Sequence, residues 1–132
     1  MGARFLLDTS IIIYILNNSL PVESLDFMAK LLSEDGCNIS VISQMEILGF
    51  KSATEQEQQK AQDLIDDATI FALTEPIVQK TIELRRQHKT KLPDAIIAAT
   101  ALVHDLTLVS RNDGDFKRIP DLKYLNPFTD IE

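Results

Sequence analysis

Acidic residues at the ends of short structural elements are the part of this chain most suited to chemistry. They are Asp8, Glu46, Asp94 and the pair Asp113 and Asp115. The first and the last follow apolar runs of the strand type, in RFLLDTS and LTLVSRNDGDF, and the other two stand near predicted helix starts, in ISQMEIL and LPDAIIAATA. Carboxylates distributed in this way could converge in the folded protein. Clustered oxygen ligands with few cationic neighbours suit Mg²⁺ or Mn²⁺.

Each acidic residue also has a purely structural explanation. Asp8 could cap a helix, and Glu46 could complete a capping box that begins at Ser43. Asp94 could complement a helix dipole, and aspartate is common in turns such as the final one. What favours a site is the coincidence of positions, because an open parallel sheet binds ligands beyond the carboxyl ends of its strands.

The pattern of apolar residues predicts alternating strands and helices. Strands are predicted at 5–7, 38–42, 70–73, 106–110 and 123–125. Helices are predicted at about 11–16, 22–34, from 43 onward, 54–67, 75–88 and 93–105. This alternation is typical of an α/β fold with a parallel sheet. Helix 93–105 has almost no polar face, so it should be buried, and Asp94 in its first turn then needs a partner or a metal ion.

Length and composition indicate one soluble domain over residues 1–132. No apolar run is long enough to span a membrane, and the chain enters RFLLD without a signal peptide. Cys37 is the only cysteine, which fits a reducing compartment. His88 and His104 are too scattered for a zinc site. We therefore expect a cytoplasmic protein without a membrane contact.

The net charge of −7 limits the choice of ligand. Either nucleic acid is not the ligand, or metal ions and a local basic rim reverse the sign of the field at the site. An acidic surface also suits a basic protein partner. The basic residues that could form such a rim are Arg85, Arg86, Lys89 and Lys91, and Arg111 stands beside the acidic turn. A solvated helix end explains the first group equally well.

Four motifs together resemble those of PIN-domain ribonucleases and, within that family, of VapC-type toxins. They are LLDTS at 6–10, the helix-opening Glu46, PDAIIAATA at 93–101 and TLVSRNDGDF at 107–116. The resemblance extends over essentially the whole chain. It implies a three-layer α/β/α sandwich around a central parallel sheet and metal-dependent endonucleolytic cleavage of RNA. It also implies a small antitoxin protein as partner and a homodimer.

The same resemblance assigns roles to residues. It makes Asp8, Glu46 and Asp94 the acidic core that holds Mg²⁺ or Mn²⁺. Asp115 is favoured over Asp113 as the fourth carboxylate because it directly precedes Phe116. Candidate polar support comes from Thr9, Ser10, Asn112 and Asp113, and candidate phosphate contacts are Arg111, Arg85 and Lys91. The chain departs from the family pattern at Ser10, where members often carry Asn, and at Asn112, where some carry Asp.

Two other functions are compatible with clustered aspartates on an α/β fold. One is a phospho-acceptor receiver domain, although Asp8 stands without the expected acidic neighbour. The other is a non-catalytic interaction module, against which the filled acidic positions argue. For the antitoxin, we expect a groove formed by surplus apolar residues on the first two helices, namely Ile12, Ile13 and Leu32.

Overall fold

The computed structural model describes residues 2–51 and 54–130. The strands are β1 (Phe5–Leu7), β2 (Asn38–Ser40), β3 (Thr69–Phe71), β4 (Thr107–Val109) and β5 (Tyr124–Leu125). The helices are α1 (Thr9–Leu16), α2 (Val22–Asp35), α3 (Val41–Gly49), α4 (Glu55–Asp67), α5 (Glu75–Gln87), α6 (Leu92–His104) and α7 (Asp113–Phe116). None of the helices in these ranges has the length and apolar character needed to cross a bilayer.

The strands form two parallel ladders that lie side by side. One ladder has the order β1-β4-β5 and the other pairs β2 with β3. Asn38, which begins β2, donates from Nδ2 to the carbonyl oxygen of Phe5, which begins β1, at 2.9 Å. Beyond their ends, the Thr9 and Ser43 hydroxyl oxygens lie 2.8 Å apart. The neighbouring strands therefore run in the same direction, and their carboxyl ends meet at one edge.

Alternate side chains of the central strands enter two separate cores. Leu6 and Leu108 pack with residues of α5 and α6, whereas Leu7 and Val109 pack with residues of α1 to α4. Because successive side chains of a strand point to opposite faces, helices must cover both faces of the sheet. The predicted α/β/α sandwich is thus confirmed.

Helix α6 is the buried helix that its apolar sequence predicts. Its residues from Ala95 to Ala101 are all buried. Pro93 stands in the first turn of α6, where a backbone N–H would have no partner within the helix, so the lack of one in proline costs nothing. Asp105 closes the helix in a left-handed conformation with φ of 55°. Because α6 is buried along most of its length, the position of Asp94 in its first turn is fixed by the packing of the helix.

The start of α3 differs from the prediction. Ser40, not Ser43, caps the helix, and its hydroxyl accepts from the Ile42 amide at 3.0 Å. Strand β2 therefore ends at Ser40 rather than at Ile42, and Glu46 lies beyond the first turn. The capping-box interpretation of Glu46 is wrong, because the box was placed one turn too late in the chain.

Three smaller predictions concern the start of α4, the acidic turn after β4 and the apolar residues of α1. Thr54 is confirmed as the N-cap of α4, since its hydroxyl accepts from the Glu57 amide at 3.1 Å, and it donates to the Glu57 carboxylate at 3.2 Å. Residues 112–115, predicted as a turn, instead begin the single helical turn α7, of which Asn112 is the N-cap residue. The predicted groove is wrong at Ile12, which is fully buried, whereas Ile13 is 46% exposed. On α1, Ile12 thus belongs to the core and Ile13 lies at the surface.

Candidate active site

Asp8 lies at the carboxyl end of β1 and is held by three hydrogen bonds. Its Oδ1 accepts from the Thr9 amide at 2.9 Å, as an N-cap of α1 does. Its Oδ2 accepts from the hydroxyls of Ser10 at 2.9 Å and of Ser110 at 2.8 Å. Burial raises the pKa of Asp8, and these hydrogen bonds oppose that rise. The capping role and a role in a site are therefore compatible in one side chain.

Ser110 joins two strand ends and was not among the residues singled out from the sequence. It follows β4, is fully buried, and accepts at Oγ from the Asn112 amide at 2.9 Å while it donates to Asp8. The register pairs Leu7 with Val109, so the next residues of the two strands stand level. Ser110 could have been identified only from the pairing of β1 with β4, which cannot be read from the sequence.

Glu46 reaches the same edge from α3 through two hydroxyl groups. Its Oε1 accepts from the Thr9 hydroxyl at 2.6 Å. The Thr9 hydroxyl has one proton, so the bond of 2.8 Å between Thr9 and Ser43 has Ser43 as the donor. Glu46 itself is exposed. Its carboxylate is therefore oriented by Thr9 yet remains open to solvent.

Asp94 begins α6 close to the other carboxylates. Burial raises its pKa from 3.8 to about 6, with further contributions from the negative charges of Asp8, Asp115 and Glu46. A hydrogen bond with the Asp115 carboxyl also favours the protonated form. Asp8, Glu46 and Asp115 are therefore near Asp94, and Glu46 is bonded to Thr9, the residue after Asp8. We call these four residues the carboxylate cluster.

The two acidic residues of α7 point to different neighbours. Asp113 Oδ1 accepts from the Tyr124 hydroxyl at 2.6 Å and from Asn126 Nδ2 at 3.1 Å. These hydrogen bonds lower the pKa of Asp113 and tie it to β5 and the segment after it. Asp115 instead approaches Asp94 and accepts from the side chain of Asn112. Of the two, Asp115 is thus the one that lies near Asp94.

The candidate basic residues form no ion pair with the carboxylate cluster in the part of the chain that the structure describes, since none of the ion pairs there includes a carboxylate of the cluster. Lys91 is the N-cap residue of α6, and Arg85 is exposed in the last turn of α5. The guanidinium of Arg118 donates to the carbonyl oxygen of Lys89 at 2.6 Å. The cluster thus keeps a negative charge that no described side-chain cation neutralises through an ion pair.

Comparisons with known proteins agree with this architecture. A family model described as PIN domain matches residues 5–122. The chain belongs to the PIN domain family. The predicted family, a PIN domain of the VapC type, is confirmed, and the receiver-domain alternative is excluded. No curated protein sequence matches significantly.

Solved structures similar to this PIN domain come from toxin–antitoxin complexes. The VapBC2 structure from Rickettsia felis, bound to a DNA fragment from its promoter, has 26% identity over 92% of this chain and 97% of that chain, with a TM-score of 0.79. A toxin–antitoxin complex from Klebsiella pneumoniae has 28% identity over 93% and 97%, with a TM-score of 0.70. DNA-bound VapBC from Salmonella typhimurium, at 23% identity over 95% and 98% and a TM-score of 0.80, shows the same fold.

PIN domains generally use divalent metal ions, and the donors of this PIN domain fit such an ion. They are carboxylate oxygens, which hard cations prefer. Across the two described ranges, no three His, Cys, Asp or Glu side chains form a group arranged to hold a metal ion. Mg²⁺ usually binds through one or two carboxylates and keeps several waters. Such an ion would thus need only one or two carboxylates of the cluster.

Proposed function

We propose that this protein is a metal-dependent endoribonuclease and the toxin of a VapBC-type toxin–antitoxin pair. The convergence of Asp8, Glu46, Asp94 and Asp115 at the carboxyl edge of the sheet carries the proposal. Membership in the PIN domain family and the similarity to chains of toxin–antitoxin complexes support it. The overall charge of −7 is no objection, because a bound cation supplies positive charge at the reacting phosphate.

The four carboxylates of the cluster would have different roles. Asp8 and Asp94 are proposed to hold Mg²⁺ or Mn²⁺, with Glu46 and Asp115 orienting the water ligands or a second ion. An ion held there would lower the pKa of a bound water molecule and stabilise charge on the phosphoryl oxygens. Asp8 is oriented for this role because its two oxygens already accept hydrogen bonds from Thr9, Ser10 and Ser110.

Basic residues beside the cluster are proposed to guide the RNA backbone. Lys91 lies three residues before Asp94, and Arg85 is exposed on the preceding helix. Both would contact phosphates next to the cleaved bond, where the cluster alone would repel them. Arg111, also a candidate phosphate contact, has a more specific environment that is described below.

The antitoxin is proposed to occupy an open groove next to the cluster. This groove has a volume of about 1100 Å³ and is lined by Thr9, Glu46, Ile13, Ile47 and Phe50 among others. Phe50 is 70% exposed, and Ile13 is 46% exposed. An amphipathic helix fits such an apolar groove, and a basic residue after that helix could pair with the carboxylates. We also propose that the protein forms a homodimer and is located in the cytoplasm.

Cleavage of single-stranded RNA by the purified protein tests the proposal. We expect cleavage with Mg²⁺ or Mn²⁺, and loss of cleavage in EDTA and in Asp94→Asn. Asp26→Asn is the matched control, since it removes an equal charge from an exposed position on α2. Metal-independent cleavage would contradict the assignment. Absence of cleavage by folded protein with either metal would favour the non-catalytic module.

A further inference from the structure

Arg111 lies against a pair of contacting aromatic side chains, Tyr14 and Phe128, whose ring centroids are 4.9 Å apart. Its Cζ is 4.4 Å from the centroid of the Phe128 ring and 5.5 Å from that of Tyr14. Its Nη1 also donates to the Tyr14 hydroxyl. The guanidinium is thus held by a hydrogen bond to Tyr14 and by its position over Phe128. Arg111 is nevertheless exposed, so a ligand can reach this side chain.

The aromatic side of this arrangement is fixed in place. The Phe128 amide donates to Asn126 Oδ1 at 2.8 Å, and Asn126 is buried and donates from Nδ2 to Asp113. The buried Ser24 hydroxyl donates to the carbonyl oxygen of Pro127 at 2.5 Å. A surface ordered before binding loses little conformational entropy when a ligand stacks on it. Asp113, which points away from the cluster, thereby orients the segment that carries Phe128.

The position of this surface relates it to the cleaved phosphate. Ser10 donates to Asp8, and Tyr14 stands four residues further along α1, a rise of about 6 Å. On the other side, Arg111 separates Ser110 from Asn112, whose side chains bond to Asp8 and to Asp115. A nucleotide next to a phosphate at the cluster would reach the guanidinium.

We propose that Arg111, Tyr14 and Phe128 form a stacking site for one unpaired RNA base beside the cleaved bond. This inference rests on the proposed ribonuclease function and deepens it. Proteins that read single-stranded RNA stack splayed bases on aromatic rings and on arginine guanidinium planes. Arg111 thus acts through its planar face, and its contact with Phe128 and Tyr14 holds that face in position.

Binding of RNA that lacks one base at a time tests this site. The probes are a single-stranded oligoribonucleotide of non-repeating sequence and the same RNA with one abasic nucleotide at each successive position. Dissociation constants are measured in EDTA, so that the RNA stays intact. We expect one abasic position to weaken binding to the unaltered protein by about tenfold. That position should neighbour the bond that Mg²⁺-loaded protein cleaves.

Variants then identify the partner of this base. Arg111→Ala should weaken binding of the complete RNA by about tenfold and remove its sensitivity to the abasic position. Arg111→Lys, which keeps the charge but not the plane, should behave like Arg111→Ala. The control is Arg4→Ala, because Arg4 also lies over an aromatic ring, Phe5, but at the amino end of β1. This control should keep the full abasic effect.

The outcomes separate the stacking site from the ribonuclease proposal. Retained affinity in Arg111→Lys, with a salt slope reduced by about one only in Arg111→Ala, would mean a phosphate contact and overturn the stacking site. RNA cleavage without any sensitive abasic position would also overturn it and leave the ribonuclease intact. A sensitive position without metal-dependent cleavage would overturn the ribonuclease alone. Phe128→Leu, which keeps an apolar side chain, should reduce the abasic effect in a folded protein.

Discussion

Replacing Asp94 with asparagine should stabilise this protein at neutral pH when divalent cations are absent. The substitution keeps the shape of the side chain and removes a charge that lies near three other carboxylates. In the folded protein the pKa of Asp94 is about 6, compared with 3.8 for an unperturbed aspartate. The folded state therefore resists ionisation of this group more than the unfolded chain does.

The size of the effect follows from that difference in pKa. Each pKa unit corresponds to about 1.4 kcal/mol, so the upper bound is about 3 kcal/mol. Asp94 is partly exposed, and solvent screening reduces the gain to about 1–2 kcal/mol. For a domain of this size, that raises the melting temperature by about 3 to 10 °C.

The pH dependence gives the direction of the effect a second test. Below pH 3.8, Asp94 is protonated in both states and costs no stability. Stability is lost as the pH rises from 3.8 to about 6, and above about 6 the whole penalty is present. The difference in stability between Asp94→Asn and the unaltered protein should therefore be small in acid and reach a plateau above about pH 6.

Thermal melts in EDTA at matched ionic strength, followed by circular dichroism across this pH range, measure the difference. Asp26→Asn serves as the control and should show no such pH-dependent gain. A melting temperature of Asp94→Asn equal to or below that of the unaltered protein at pH 7 would refute the reasoning. It would mean that the charge of Asp94 is already compensated without a metal ion.

Three further outcomes are expected. Ser110→Ala should lower the free energy of unfolding by about 1 to 3 kcal/mol in urea titrations, because buried Asp8 loses a donor and the Asn112 amide loses its acceptor. Asp115→Asn should reduce the rate of RNA cleavage far more than Asp113→Asn, and equal losses would overturn the choice of Asp115. With ~10 mM Mg²⁺ and a dissociation constant near ~1 mM, melts should show about 1.4 kcal/mol of added stability relative to EDTA. Unchanged midpoints would contradict a metal site.

Elements with a strong local pattern were predictable from the sequence. Helix α6 reads as buried because nearly all its side chains are apolar, and Pro93 marks its start. The N-cap Thr54 bonds to Glu57, only three residues away. Such signals depend on residues close together in the chain, so sequence alone suffices.

Features that depend on neighbours distant in sequence were not predictable. Ser40 and Ser43 are equally good N-caps by residue type, and the end of β2 decides between them. Ser110 and Asp8 are 102 positions apart and meet only because β4 pairs with β1. Asp113 and Asp115 have the same chemistry, and they separate once Tyr124 is placed beside one of them. In each case tertiary pairing selected among locally equivalent choices.

Because the strands are parallel, the sheet has an amino edge and a carboxyl edge, and these differ as places to attach the protein to a surface or a label. Arg4 precedes β1 at the amino edge of the sheet, whereas the carboxylate cluster lies at the opposite edge. Phe128, on the segment after β5, lies against Arg111 beside the cluster. A tether joined ahead of β1 would leave the edge with the carboxylate cluster open, and one joined soon after Phe128 would crowd it. For immobilised binding measurements, the amino-terminal side is therefore the better point of attachment.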